Sequence, residues 1–167
     1  MNKEIASANA HNLYFLPYLT GERSPINDPN ARGAFVGLTL SHKRGDLSRA
    51  VIEGINFGLL DCLNSINKLG LKPKEARIIG GGSKSQIWLK MLADTLGINL
   101  HTINTAEGGA LGAIILAMVG CKQYKTVADA CRKIVKATKT YKFNKIEHQR
   151  YLIKFAEFKD TYNRLKH

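Results

Sequence analysis

The segment Ile78-Ile79-Gly80-Gly81-Gly82-Ser83-Lys84-Ser85-Gln86 holds the densest run of residues able to do chemistry. An apolar stretch gives way to three glycines, then to hydroxyl and carboxamide side chains. Glycines let a ligand lie against the backbone with no Cβ in the way. The free N–H groups of a starting helix favour an electron-rich or anionic group. Open α/β sheets take ligands at the carboxyl ends of their strands, which is where this turn would fall. The run is neither G-x-G-x-x-G nor a P-loop, so by itself it is a weak nucleotide signal. Ser83 and Gln86 also fit a capping box, in which Gln86 only reaches back to the Ser83 N–H.

Other constellations carry less. His11, His42, His101, His148 and His167 have no metal-ligand spacing. Cys62, Cys121 and Cys131 form no C-x-x-C pair, which argues against a disulfide framework or a zinc site and for a reducing, cytoplasmic setting. Glu22 and Arg23 could pair within a loop. Gly109, Ala110, Gly112, Ala113 and Ala117 make a small-residue helix face suited to close approach to a sheet. Tyr151, Phe155, Phe158, Tyr162 and Leu165 recur at three and four residues, a spacing expected of core rather than of a base-stacking platform.

The elements that must position these residues follow from periodicity. Residues 13–33 read as loop, rich in proline and glycine. Ala34 to Leu38 reads as a short strand. A long helix is expected from a cap at Asp46 to Gly70, burying Leu47, Val51, Ile55, Leu59, Leu63, Ile66 and Leu69. Ala76 to Ile79 reads as a strand, 84–96 as a helix stopped by Gly97, and Asn99 to Ile103 as a strand. Helices follow at 107–119, 126–135 and 147–165. Alternating strands and helices predict an α/β domain with parallel pairing and a short sheet of three or four strands.

The chain has 167 residues, 44% of them hydrophobic and 23% charged, which suits one globular domain. The first five residues do not resemble a signal peptide, and no apolar run approaches a membrane span. Net charge is +12, unevenly spread. Residues 122–167 hold 13 Lys+Arg against 4 Asp+Glu, and residues 1–121 hold 12 against 9. The basic tail reads as a nucleic-acid patch or as a solvated helical face. The second reading is preferred, because the basic residues form no uninterrupted run.

Four segments together resemble the FGGY carbohydrate kinases. They are Leu19 to Gly33 (LTGERSPINDPNARG), Gly37 to Leu40 with Arg49 to Gly54 (RAVIEG), Gly80 to Trp88 (GGGSKSQIW) with Leu92-Ala93-Asp94, and Glu107 to Ala113 (EGGALGA). Their order matches that family's C-terminal lobe, from about residue 13 onward. GERSP, GGGS and EGGALGA are most similar to the xylulose kinases of the family. Its gluconate kinases share NARG and GLTLSHK.

The resemblance implies an actin-like, ribonuclease-H-like ATPase lobe: a short sheet flanked by helices and lacking its first strands. It implies one domain over 1–167, with an extension at 1–12 and a basic helical part at 122–167. Gly81, Gly82, Ser83 and Gln86 would face adenine and ribose, with Ser24 near the adenine edge. Several family members carry asparagine where Gln86 stands, and glutamine is longer. The implied partners are ATP or ADP, with magnesium held through the phosphates of the complete enzyme, and D-xylulose bound only with an N-terminal lobe. No catalytic base or metal ligand is assigned, because the base belongs to that other lobe, so the chain alone is expected to be inactive. Met1 then reads as the start of a shortened chain. Homo-oligomers through an open sheet edge are expected; a membrane or nucleic-acid partner is not.

Overall fold

The computed structural model describes residues 2–105 and 107–166. In chain order the elements are α1 (Asn2–Ser7), β1 (Tyr14–Leu16), β2 (Ala34–Val36), α2 (Arg44–Lys68), β3 (Glu75–Ile78), a 3₁₀ turn (Gly81–Lys84), α3 (Gln86–Leu96), β4 (Asn99–Ile103), α4 (Gly108–Gly120), α5 (Val127–Ile134), β5 (Ala137–Tyr141) and α6 (Lys145–Leu165).

Two small sheets result. β1 pairs antiparallel with β2, Phe15 opposite Phe35. β3, β4 and β5 form a second sheet in that order. β3 and β4 are parallel, as alternation with helices predicts, but β5 runs antiparallel to β4. Uniform parallel pairing is therefore corrected. β5 lies on an edge with mostly exposed residues, so it carries no apolar run that would mark it as a strand.

The long helix α2 forms close to where its period places it, with two local differences. Asp46 is the third helical residue rather than the cap, and its carboxylate accepts the Lys43 and Asn9 N–H groups, each at 2.8 Å. The buried face is also rotated from the expected one. Ala50, Glu53, Gly54, Asn56, Phe57, Leu60 and Asp61 are buried, while Leu59, Ile66 and Leu69 are exposed. Two neighbours select this face. β1 crosses so closely that a Cβ on Gly54 would fall 2.1 Å from Phe15 O. On the other side Phe57 meets the aromatics of α6, its ring 5.2 Å from Phe158 and 5.9 Å from Phe155.

That aromatic cluster is one core. Leu16, Tyr18, Phe57, Leu60, Tyr151, Phe155, Phe158 and Tyr162 join β1, α2 and α6, as the spacing along α6 predicts for all but the exposed Leu165. A second core of Leu89, Leu92, Ala93, Ile98, Leu100 and Tyr141 packs α3 on the sheet. α4 does not follow expectation. Gly109, Ala110, Gly112, Ala113 and Ala117 are all exposed, and only Ile115 of that helix is buried. Close approach of the small-residue face to a sheet is not made among the described residues; α4 packs on α5.

Charge also ties the tail to the body. Lys154 pairs with Glu53 and Lys159 with Asp61 at 3.1 Å. Arg132, Arg150 and Arg164 pair within their own helices. Five of the 13 basic residues of 122–167 are thus ion-paired, two of them to α2. Among the described residues, no helix is long and apolar enough to cross a membrane.

Candidate functional site

The glycine turn stands at the carboxyl end of β3, where the sequence places it. Gly80 has φ +83° and turns the chain away from the strand. Ser83 N–H and Oγ both donate to Gly80 O, at 3.1 and 2.7 Å, closing the 3₁₀ turn. Ser83 is therefore not a helix cap. Ser85 is, its Oγ accepting the Trp88 N–H at 3.4 Å. The expected Ser83–Gln86 capping box is corrected: the turn inserts before α3, and Gln86 becomes its first residue. The Gln86 Oε1 accepts from Lys139 Nζ of β5 at 3.0 Å, so its carboxamide is held toward β5.

The three glycines differ in what surrounds them. Nothing lies within 4 Å of a Cβ built on Gly80 or Gly81. On Gly82, by contrast, a Cβ would fall 1.9 Å from Cζ3 of Trp88. Gly82 is thus needed for the indole to seat, and Gly81 offers the open backbone surface. Beside the turn lies a cavity of about 440 Å³ lined by Ser83, Lys84, Gln86, Thr102, Asn104 and Tyr141, among others. It joins the turn to the carboxyl end of β4.

Ser24 sits elsewhere. It is exposed, its N–H donates to Glu22 Oε1 at 3.2 Å, and its carbonyl accepts from Cys62 Sγ at 3.4 Å. It does not line the cavity beside the glycine turn. Glu22 takes this N–H rather than pairing with Arg23 among the described residues. Burial, with Glu22 and Asp61 nearby, pushes the Cys62 thiol up.

A larger cavity of about 650 Å³ lies between residues 8–14, α2 and α6. Its charged lining is engaged internally. Glu53, 3% exposed, accepts from Arg49 Nε at 2.8 Å and from Lys154 Nζ. The remaining Arg49 donors reach Ile5 O, Ala8 O and the Tyr151 hydroxyl. Arg49, half-buried, and Glu53, buried, therefore form a structural pair within RAVIEG. Among the described residues no group of three His, Cys, Asp or Glu could hold a metal ion.

The model of the C-terminal domain of the FGGY family of carbohydrate kinases matches residues 1–121. The chain belongs to the FGGY family of carbohydrate kinases. It is 34% identical to the xylulose kinase of Staphylococcus epidermidis over 94% of its own length and 32% of that protein's. It superposes on the ligand-bound xylulose kinase of Lactobacillus acidophilus with a TM-score of 0.88 and 34% identity, covering 98% of this chain and 34% of that one. The gluconate kinase of the same organism gives 0.87 and 34%, covering 98% and 33%. The fold is thus the actin-like ATPase lobe of this family of sugar kinases. The chain spans about a third of the length of these relatives.

Sequence reasoning missed Asn56, Trp88 and Lys139. Asn56 and Lys139 reach the site from other elements, with no local motif to reveal them. Trp88 stands within GGGSKSQIW, but its contact with Gly82 depends on the turn inserted before α3.

Proposed function

We propose that this chain supplies the adenosine side of an ATP-dependent kinase that phosphorylates D-xylulose to xylulose 5-phosphate, and that it has no kinase activity alone. The observation carrying the nucleotide part is the open face of Gly81 at the carboxyl end of β3, beside Ser83 and Gln86. A flat base can approach that backbone directly. Gly82 contributes by seating Trp88, which leaves Gly81, Ser83 and Gln86 as the contact surface. Ser24 at the adenine edge rests on the family resemblance.

The aspartates Asp28, Asp46, Asp61 and Asp94 are not free for proton transfer. Asp28 accepts from Tyr162 and Asp46 from two backbone N–H groups. Asp61 accepts from Lys159, and Asp94 from Lys90 and the Asn144 N–H. Each is committed to packing the lobe, in keeping with the family resemblance, which puts the base and the sugar contacts in another lobe. Among the described residues no group of His, Cys, Asp or Glu is suited to magnesium.

D-Xylulose is preferred as the sugar because S. epidermidis and L. acidophilus relatives at 34% identity are xylulose kinases. The gluconate kinase at the same identity supports gluconate as the second reading. A coupled ADP-release assay of the chain with magnesium-ATP and either sugar is expected to stay at the blank. Sugar-dependent turnover would overturn the inactivity. NMR titration with adenosine is expected to shift signals of residues 81–86 at millimolar ligand, an affinity of about 4 kcal/mol. Shifts confined to the basic tail would overturn the site.

A further inference from the structure

Trp88 is the chain's one tryptophan, and it stands in the first turn of α3 with its six-membered ring on Gly82. Its Nε1 donates to Asn56 Oδ1 of α2 at 2.7 Å. Asn56 is 0% exposed. Its Nδ2 is buried with no hydrogen-bond partner among the described residues. An unpaired buried amide opposes folding. Stability alone therefore does not account for an asparagine here. What the residue does achieve is to fix the far end of the indole.

The glycine turn has little else to fix it. Its own hydrogen bonds are local, from Ser83 to Gly80 and from Ser85 to Gly82. Gly80 and Gly81 have open space where side chains would stand. The Trp88 ring against Gly82 is the contact that ties the turn to α3, and through Asn56 to α2. With its Nε1 released, the ring could tilt about its side-chain torsions, and the Gly82 peptide would follow.

We propose that Asn56 is a positioning residue for nucleotide binding, acting through Trp88 to hold the glycine turn in its ligand-ready shape. This rests on the reading of that turn as the adenosine site. Asn56 touches no ligand in this scheme. Its effect is to keep the Gly81 and Ser83 backbone in one arrangement, so that binding does not have to order it.

Asn56→Leu tests this, because it keeps the branched shape of the side chain and removes the acceptor. In ligand-free spectra the Trp88 indole N–H signal should move and exchange faster. Amides of residues 81–84 should lose protection while those of β4 and α6 keep theirs. Adenosine affinity should fall about fivefold to tenfold, the scale of one neutral hydrogen bond. Trp88→Phe cuts the same link from the other side and serves if the first variant does not fold. Adding Asn56→Leu to Trp88→Phe should cost no further affinity, a coupling that independent packing effects would not show. Unchanged turn exchange and unchanged affinity in either variant would overturn the proposal alone. No adenosine binding by the unmodified chain would overturn the site reading, and the proposal with it.

Discussion

The Tyr162 phenol donates to Asp28 Oδ2 at 2.6 Å, joining α6 to the loop between β1 and β2 across 134 positions. This bond, with the Asn30 N–H next, holds the Asp28 carboxyl below its ordinary 3.8. A depressed carboxyl contributes stability that is present above 3.8 and lost as pH falls through the folded value. Tyr162→Phe is therefore expected to be less stable at neutrality and to start acid unfolding at a higher pH. Circular dichroism followed through an acid titration checks it, and identical acid limbs would refute it.

The same bond acts with opposite sign in alkali. Burial first, and Asp28 next, push the Tyr162 phenol up to about 12. Its contribution is present below 10 and lost as pH rises through about 12. Burial also raises Tyr14, Tyr18 and Tyr151. Phenolate absorbance from these four residues should appear late, well above pH 10, and together with unfolding. Early ionisation of a folded chain would contradict the packing of the aromatic core.

Gly81 and Gly82 should separate binding from stability. Gly82→Val drives a branched side chain into the Trp88 ring, and overpacking of this kind costs about 1–3 kcal/mol. Gly81→Val points into open space. It should melt near the parent temperature and lose its response to adenosine. Thermal melts with paired NMR titrations read both effects, and full adenosine binding by Gly81→Val would remove Gly81 from the site.

Glu53 lies between Arg49 and Lys154, its side chain 4% exposed. Glu53→Ala leaves two cations without their carboxylate and is expected to cost about 3–5 kcal/mol. Lys154→Met should cost less, because Arg49 still pairs with Glu53. Denaturant unfolding of the two variants should rank them in that order; the reverse order would show that the pair has been misread.

β3 pairs with β4 on one side only among the described residues. An open edge invites another chain. Light scattering over a wide concentration range is expected to reveal dimers or larger species at the upper end. A monomer throughout would mean that α4 or another neighbour shields the edge in solution.

The strand and helix order from residue 75 to 104 was legible because each element there has one dominant signal: an apolar strand, a glycine stop, a regular period. α6 was legible for the same reason, its aromatic spacing being a property of one helix. The buried face of α2 was not, since Glu53, Asn56 and Asp61 are buried through partners on α3 and α6 that no local count of apolar residues registers. The glycine turn was located correctly, yet the division of labour between Gly81 and Gly82 was invisible. It depends on where an indole six residues along folds back, and identical residues give no hint of different surroundings.

A single indole seated on the glycine turn also makes the protein its own optical reporter. Emission excited selectively from tryptophan originates at Trp88 and nowhere else in the chain. Its wavelength and lifetime are set by the Asn56 contact and by whatever lies over Gly82. A purine stacked nearby would quench it, and release of the ring would shift it to the red. Events at this turn can therefore be followed in dilute, unlabelled protein, on the millisecond scale of a mixing experiment.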